Sequence, residues 1–193
     1  MPLPWPLPDR SDLRDRLLEA YRRGRGYHDV RHLGEVLDRL HELGASENRD
    51  LILAAWYHDA VYDAAGDNED RSARLAQEQL AGTGADGAEV ARLVRLTKSH
   101  DPAPGDADGE ALCDADLAIL AAGDERYAEY VAGVRAEYAH IPDADFARGR
   151  AAILEELLGH GRLFRTAHGQ RHWEQPARSN LARELEELRR QAG

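Results

Sequence analysis

Leu51-Ile52-Leu53-Ala54-Ala55-Trp56-Tyr57-His58-Asp59 is the stretch on which the reading of this chain turns. Seven apolar residues run unbroken and then meet an imidazole and a carboxylate side by side. A helix apolar on every side is a buried one, and burying a charge is costly unless it is paired or bound to a metal. Adjacent helical residues point about 100° apart, so both side chains reach one ion only if it sits beside the helix, in a gap between helices. His32 upstream and Asp116 downstream, each in another predicted helix, can close such a site.

Outward from this segment, helix signals recur from end to end and no strand pattern appears. Ser11 is positioned to cap a helix carrying Leu13, Leu17, Leu18 and Tyr21, which Gly24 and Gly26 terminate. A second helix is predicted from about Asp29 to Leu43, with Leu33, Val36, Leu37 and Leu40 on one face. Ser46 opens the third, Asp67 caps a fourth, and Asp86 with Glu89 resembles a capping box for a fifth. Residues 100–109 read as a polar loop, followed by a helix through Leu112, Asp116, Ile119 and Leu120. Asp124 and Asp143 look like caps for two more, and a last helix covers roughly Pro176 to Gln191. The expectation is one all-α domain over 1–193. It has a proline-rich arm at 1–10, a metal-site core at 27–120 and C-terminal helices at 124–193 packing on it.

A chain of 193 residues can bury roughly 70% of its unfolded surface without staples. Its net charge of −11 disfavours nucleic-acid polymers and anionic membranes, though not a small phosphorylated substrate, because a bound cation can reverse the local field. Cys113 is the only cysteine, so no internal disulfide forms. The segment Met1–Pro8 has no basic region and too many prolines for a signal-peptide core, and the longest apolar run is far short of the ~20 residues that span a bilayer. The expectation is a cytoplasmic protein. Trp5 and the charged final helix could support a homodimer, although ordinary packing explains both.

Burying several ionisable groups is unfavourable unless they meet one another. His32 leads into the apolar stripe of its helix, and Asp116 shares the inward stripe of Leu112 and Leu120. Asp114 lies about 200° away around that helix and is expected to be solvated or to lie outside the ligand set. Two imidazoles and two carboxylates suit Mn, Fe, Co, Ni or Zn, and Mg less well. Four protein ligands leave room for a water that the ion would activate near neutral pH. His28 shares a face with His32 if the helix begins that early. Lys98 and His100 end a helix beside the polar loop and are the candidate substrate contacts for phosphate. Arg31, Arg71 and Arg148-Gly149-Arg150 read first as solvated arginines and second as anion contacts. Glu174 and Asn180 are expected to fix the last helix to its neighbours.

Tyr27-His28-x-x-x-His32, Ala55-Trp56-Tyr57-His58-Asp59-Ala60-Val61-Tyr62-Asp63 and Cys113-Asp114-Ala115-Asp116-Leu117 resemble the motifs of the HD superfamily. Asp67-Asn68-Glu69, Leu96-Thr97-Lys98-x-His100-Asp101 and Glu174-x-x-Ala177-x-x-Asn180-Leu181 extend the resemblance to a bacterial group described as predicted metal-dependent HD-domain phosphohydrolases. The resemblance runs from about Tyr27 to Leu185. It implies a helical bundle with a central metal site, with His32, His58, Asp59 and Asp116 as ligands and a phosphoester as the usual target. It also implies an acidic catalytic residue shortly after the doublet, for which Asp63 and Glu69 are the two candidates. Glu69 can equally complement a helix dipole, and Asp63 can be a turn residue.

The reading expected from these features is a divalent-metal phosphohydrolase that cleaves a small soluble phosphoester, a nucleotide or related metabolite, by a metal-activated water. His28, Lys98 and His100 would contact the substrate. Two alternatives stand beside it. An HD-type di-iron oxygenase would recruit His100 and His28 as extra ligands, and a non-catalytic nucleotide-binding module would retain the metal without turnover.

Overall fold

A computed structural model describes residues 3–63 and 66–192; these form ten α-helices joined by turns and two short 3₁₀ segments, with no strand among the described residues. The all-α fold class expected from periodicity is what the chain adopts. The chain divides into two compact units, Met1–Asp116 and Leu117–Gly193. No helix is long and apolar enough to cross a membrane.

The first unit holds α1 (Ser11–Arg22), α2 (Val30–Glu42), α3 (Arg49–Tyr57), α4 (Asn68–Leu80), α5 (Gly87–Leu96) and nearly all of α6 (Ala107–Leu117). Every residue from Leu51 to Tyr57 is buried, so α3 is the central helix of this unit, flanked by α2, α4 and α5. Its neighbours each turn one stripe inward: Leu13, Leu17 and Tyr21 from α1, Leu33, Val36, Leu37 and Leu40 from α2, and Val90, Leu93 and Val94 from α5. Amphipathic helices around an apolar one are the arrangement that leaves no apolar face in water.

Several caps differ from the sequence expectation. A 3₁₀ turn at Pro8–Arg10 leads straight into α1, so Ser11 is already helical and makes no capping bond. Asn48, not Ser46, caps α3: its side chain accepts from the Asp50 and Leu51 amides. Asp29 and Asp86 do cap, each oxygen taking two amides of the first turn. Asp67 occupies the N-cap of α4 in the left-handed region with φ 59° and makes no side-chain cap. The helix α6 starts at Ala107, inside the stretch expected to be loop, because Asp106 accepts from the Gly109 amide at 3.1 Å. A Cβ at Gly109 would fall 2.8 Å from Leu96 Cδ1 and closer still to the Asp106 carboxylate, so any larger residue there would require those two side chains to move. In the arm, the Trp56 indole donates to the Pro4 carbonyl at 2.7 Å, and Trp5 stands edge-on to Trp56 at 5.0 Å.

The second unit holds α7 (Asp124–Glu137), α8 (Asp143–Gly159), α9 (Ala167–His172) and α10 (Glu174–Ala192), after a 3₁₀ turn at Ala118–Ala121. The helix α9 has no counterpart in the sequence reading. It is six residues long, and Thr166, which accepts from the Gly169 amide, is its cap. As expected, Glu174 and Asn180 anchor α10. Glu174 accepts from the Leu163 and Phe164 amides and from Arg178, and the Asn180 amide donates to the Leu120 and Ala122 carbonyls, both at 2.9 Å.

Arg150 overturns the expectation of a solvated arginine. Its side chain is 10% exposed and pairs with Glu184, 6% exposed, at 2.8 Å, while also donating to the Tyr130 hydroxyl at 2.7 Å. The Tyr127 hydroxyl donates to the same carboxylate at 2.5 Å. Burial, reinforced by Glu184, pushes the Tyr127 phenol well up from its ordinary value. Arg31 is exposed and pairs with Glu35, as a solvated arginine would.

Candidate metal centre

The His-Asp doublet lies just past the end of α3, not within it. Tyr57 is the last helical residue, and His58 closes the helix in right-handed conformation with its amide on the Ala54 carbonyl. A helix C-terminus carries partial negative charge from its unpaired carbonyls, which favours a cation beside it.

The His58 ring is 1% exposed, and its Nδ1 lies 2.7 Å from the Ala55 carbonyl. A carbonyl only accepts, so Nδ1 carries the hydrogen and neutral His58 presents the lone pair of Nε2. His32, 2% exposed on the first turn of α2, presents its own Nε2 only 3.0 Å away, with the Tyr27 hydroxyl 2.9 Å from its Nδ1. Two carboxylates complete the group. Asp59 Oδ2 lies 3.1 Å from His58 Nε2 and 3.4 Å from His32 Nε2, and Asp116 Oδ1 lies 3.1 and 3.7 Å from His32 and His58 respectively. Donors about 2.1 Å from a common ion stand about 3.0 Å apart at right angles and about 3.4 Å apart at tetrahedral angles. Four of the five separations that involve an imidazole nitrogen, from 3.0 to 3.4 Å, fall in that range, and the fifth, His58 to Asp116, is 3.7 Å.

Asp59 Oδ2 supplies the second sign of fit. It is the one buried side-chain nitrogen or oxygen among the described residues with no hydrogen-bond partner. No donor is aligned on it although two imidazoles surround it. A buried carboxylate oxygen left so is costly, and a cation among the four groups removes the cost. His32, His58 and Asp59 by themselves satisfy the spacing of a metal-holding trio. Asp116 adds a fourth donor through its contacts with both imidazoles.

The electrostatics agree with a site built for positive charge. Burial lowers the proton affinity of His32, but Asp116 and Asp59 outweigh it and push the imidazole up to about 10. The same contest leaves His58 raised. Burial works against ionised Asp59 and Asp116, yet the surrounding histidines hold Asp59 well below the carboxylate range and Asp116 below it too, with His100 the foremost partner of Asp116. Without a metal, a proton on the imidazoles supplies the missing charge. That stabilisation is present in full below pH 6.5 and is lost as pH rises through about 10; the carboxylate share is present above pH 3.8 and lost on acidification. Thermal melts of chelator-treated protein are therefore expected to fall by at least about 2 °C between pH 6.5 and 10. A midpoint flat or rising across that interval would contradict a proton in that role.

The remaining candidates fall into two groups. His100 is drawn in: its Nε2 lies 2.9 Å from Asp116 Oδ2, and it reaches there with φ 50°, a left-handed conformation uncommon for a non-glycine residue. His28 precedes the Asp29 cap, so it does not share a helix face with His32. Its ring nevertheless stacks on Tyr62 at 4.3 Å and stands edge-on to His32 at 5.7 Å. Of the other three, two are engaged elsewhere, Asp63 pairing with Arg71 at 2.6 Å and Lys98 with Asp67 at 3.2 Å, and Glu69 sits in the first turn of α4 beside Asp70. Asp114 is wholly buried, which excludes the solvated reading.

Sequence reasoning missed two residues that hold the doublet. Tyr21, assigned only to the core stripe of α1, accepts from the Asp59 amide and donates to the Trp56 carbonyl, both at 3.3 Å. Arg25, between two glycines, reaches the doublet through its guanidinium. The Gly24-Arg25-Gly26 flank reads as a helix terminator, and no spacing rule reveals where its central side chain goes. No protein-family model, curated protein or solved structure matches the chain.

Proposed function

We propose that the protein is a metal-dependent phosphohydrolase acting on a small soluble phosphoester, a nucleotide or a related metabolite. The observation that carries this reading is the convergence of the His32 and His58 ring nitrogens with the Asp59 and Asp116 carboxylates, one oxygen of Asp59 being buried with no hydrogen bond. His32, His58, Asp59 and Asp116 would hold a divalent ion, which when bound polarises a phosphoryl oxygen and lowers the pKa of water. The two imidazoles are buried, whereas the Asp59 and Asp116 side chains are each 15% exposed. His100 orients Asp116 from behind, and Tyr27 and Ala55 fix the imidazole rings. The ring of His28 beside His32 is the nearest candidate contact for the substrate. Asp63 or Glu69 would assist proton transfer and Lys98 would hold phosphate; for this Asp63 would have to leave Arg71 and Lys98 to leave Asp67.

The test is metal analysis of the purified protein, then phosphate-release assays on a panel of nucleotides and simple phosphomonoesters with Mn, Co, Mg or Zn. Release that requires added metal and disappears in Asp116→Asn supports the proposal. One bound equivalent of metal with no phosphate released from any ester overturns it, and retained nucleotide binding would then indicate a non-catalytic module. Two irons per chain with dioxygen consumption would indicate the oxygenase.

A further inference from the structure

The loop between α1 and α2 reaches the metal-ligand cluster through a side chain that is not itself a ligand. Arg25 Nη1 donates to the Asp59 carbonyl at 2.7 Å and to the His28 carbonyl at 2.8 Å, and Nη2 donates to the Ala60 carbonyl at 3.2 Å. Its guanidinium lies over the Tyr21 ring at 4.7 Å and the Tyr62 ring at 5.6 Å. These contacts join two parts of the chain that are distant in sequence, residues 21–28 and 59–62. The doublet and its next residue supply two carbonyls, and the segment before α2 supplies the third. Tyr21 and Tyr62 hold the plane of the fork, and each is tied to the site independently, Tyr21 by the Asp59 amide and Tyr62 by the His28 ring.

Two of the carbonyls that Arg25 takes lie beyond the last residue of α3, where no helical amide is available to satisfy them. A planar fork of fixed donors suits this task. An ammonium also has three donors, but all sit on one atom at the end of a flexible stem, so it does not reproduce the spacing and rigidity of the fork. The fork therefore fixes the backbone that carries the Asp59 carboxylate and sets the Tyr27-His28 segment against it. From Tyr27 the same segment reaches His32 Nδ1.

We infer that Arg25 is a positioning residue for the metal centre, which sets the spacing between the doublet and His32 without touching the ion. This rests on the reading of the cluster as a divalent-metal site. Supporting groups behind metal ligands are commonly worth 10–100-fold in affinity.

The experiment uses the full chain, with Co(II) as probe, in wild type, Arg25→Lys and Arg25→Gln. Fold is followed by far-UV circular dichroism and thermal melting, and the site by Co(II) visible absorption and competition titration. Arg25→Lys keeps the charge and the apolar stem over the tyrosines and removes only the fork. Both variants are expected to fold, to bind Co(II) 10–100-fold more weakly, and to show shifted or weakened visible bands, with lysine failing to restore them. Wild-type affinity and spectrum in both variants would overturn the inference. So would loss of helical structure in both, which would make Arg25 a residue of the fold alone. If wild type itself takes up no Co(II), the reading of the cluster fails, and that outcome is distinct from either of these.

Discussion

His58→Ala and Asp59→Ala are each expected to lower divalent-metal affinity by more than about a hundredfold, leaving purified protein essentially metal-free while its helical signal persists. The magnitude follows from rank: groups that only orient ligands are worth 10–100-fold, so a ligand must exceed them. Persistence of the helices follows from placement. The doublet lies past the end of α3, and the seven buried residues from Leu51 to Tyr57, which hold the helix in the core, are untouched. His58→Ala does remove a fully buried ring, and the cavity should lower the melting temperature of the metal-free protein. Asp59→Ala should cost less, since it deletes the one buried oxygen that lacks a partner among the described residues. Metal content by elemental analysis, alongside circular dichroism, decides the matter. A variant that keeps its full complement of metal would show that the cluster is a proton-linked polar network and no more.

Arg150→Ala is expected to cost about 3–5 kcal/mol of stability, because it strands Glu184 as an uncompensated buried charge, with the Tyr127 hydroxyl still donating to it but no cation beside it. The double variant Arg150→Met/Glu184→Leu is expected to recover most of that loss, since a buried ion pair can be exchanged for apolar packing at little cost. Urea denaturation of wild type, single and double variants measures both numbers. A single variant within about 1 kcal/mol of wild type would mean that water reaches the pair. Surface pairs such as Arg23–Glu19 and Arg190–Glu187 provide the contrast, with losses near the usual value of about 0–1 kcal/mol.

The fold class was legible because it depends on periodicity. Stripes such as Leu33, Val36, Leu37 and Leu40 can be buried by a helix and by little else, and an unbroken run such as Leu51–Tyr57 must be surrounded. Helix starts were legible where an aspartate could take two first-turn amides, as Asp29 and Asp86 do. They were misread where neighbours compete for the role, as at Ser46 and Asn48. The ligand candidates were legible through an oddity of placement, ionisable side chains set in apolar stripes.

The supporting groups were not legible. Arg25 is a lone arginine between glycines, Arg150 sits in a segment that looks solvated, and His100 reaches Asp116 only by a left-handed backbone. Local sequence determined which segments are helical and which polar groups would be forced inside. Tertiary structure alone decided that His32, His58 and Asp59 present their donors close to one another with Asp116 against both imidazoles, and that Arg25 bonds the backbone of the doublet and His100 the Asp116 carboxylate. The physical reason is range. Helical periodicity is set by neighbours three or four residues apart, whereas a hydrogen bond between residues 25 and 59, or 100 and 116, depends on how whole helices pack.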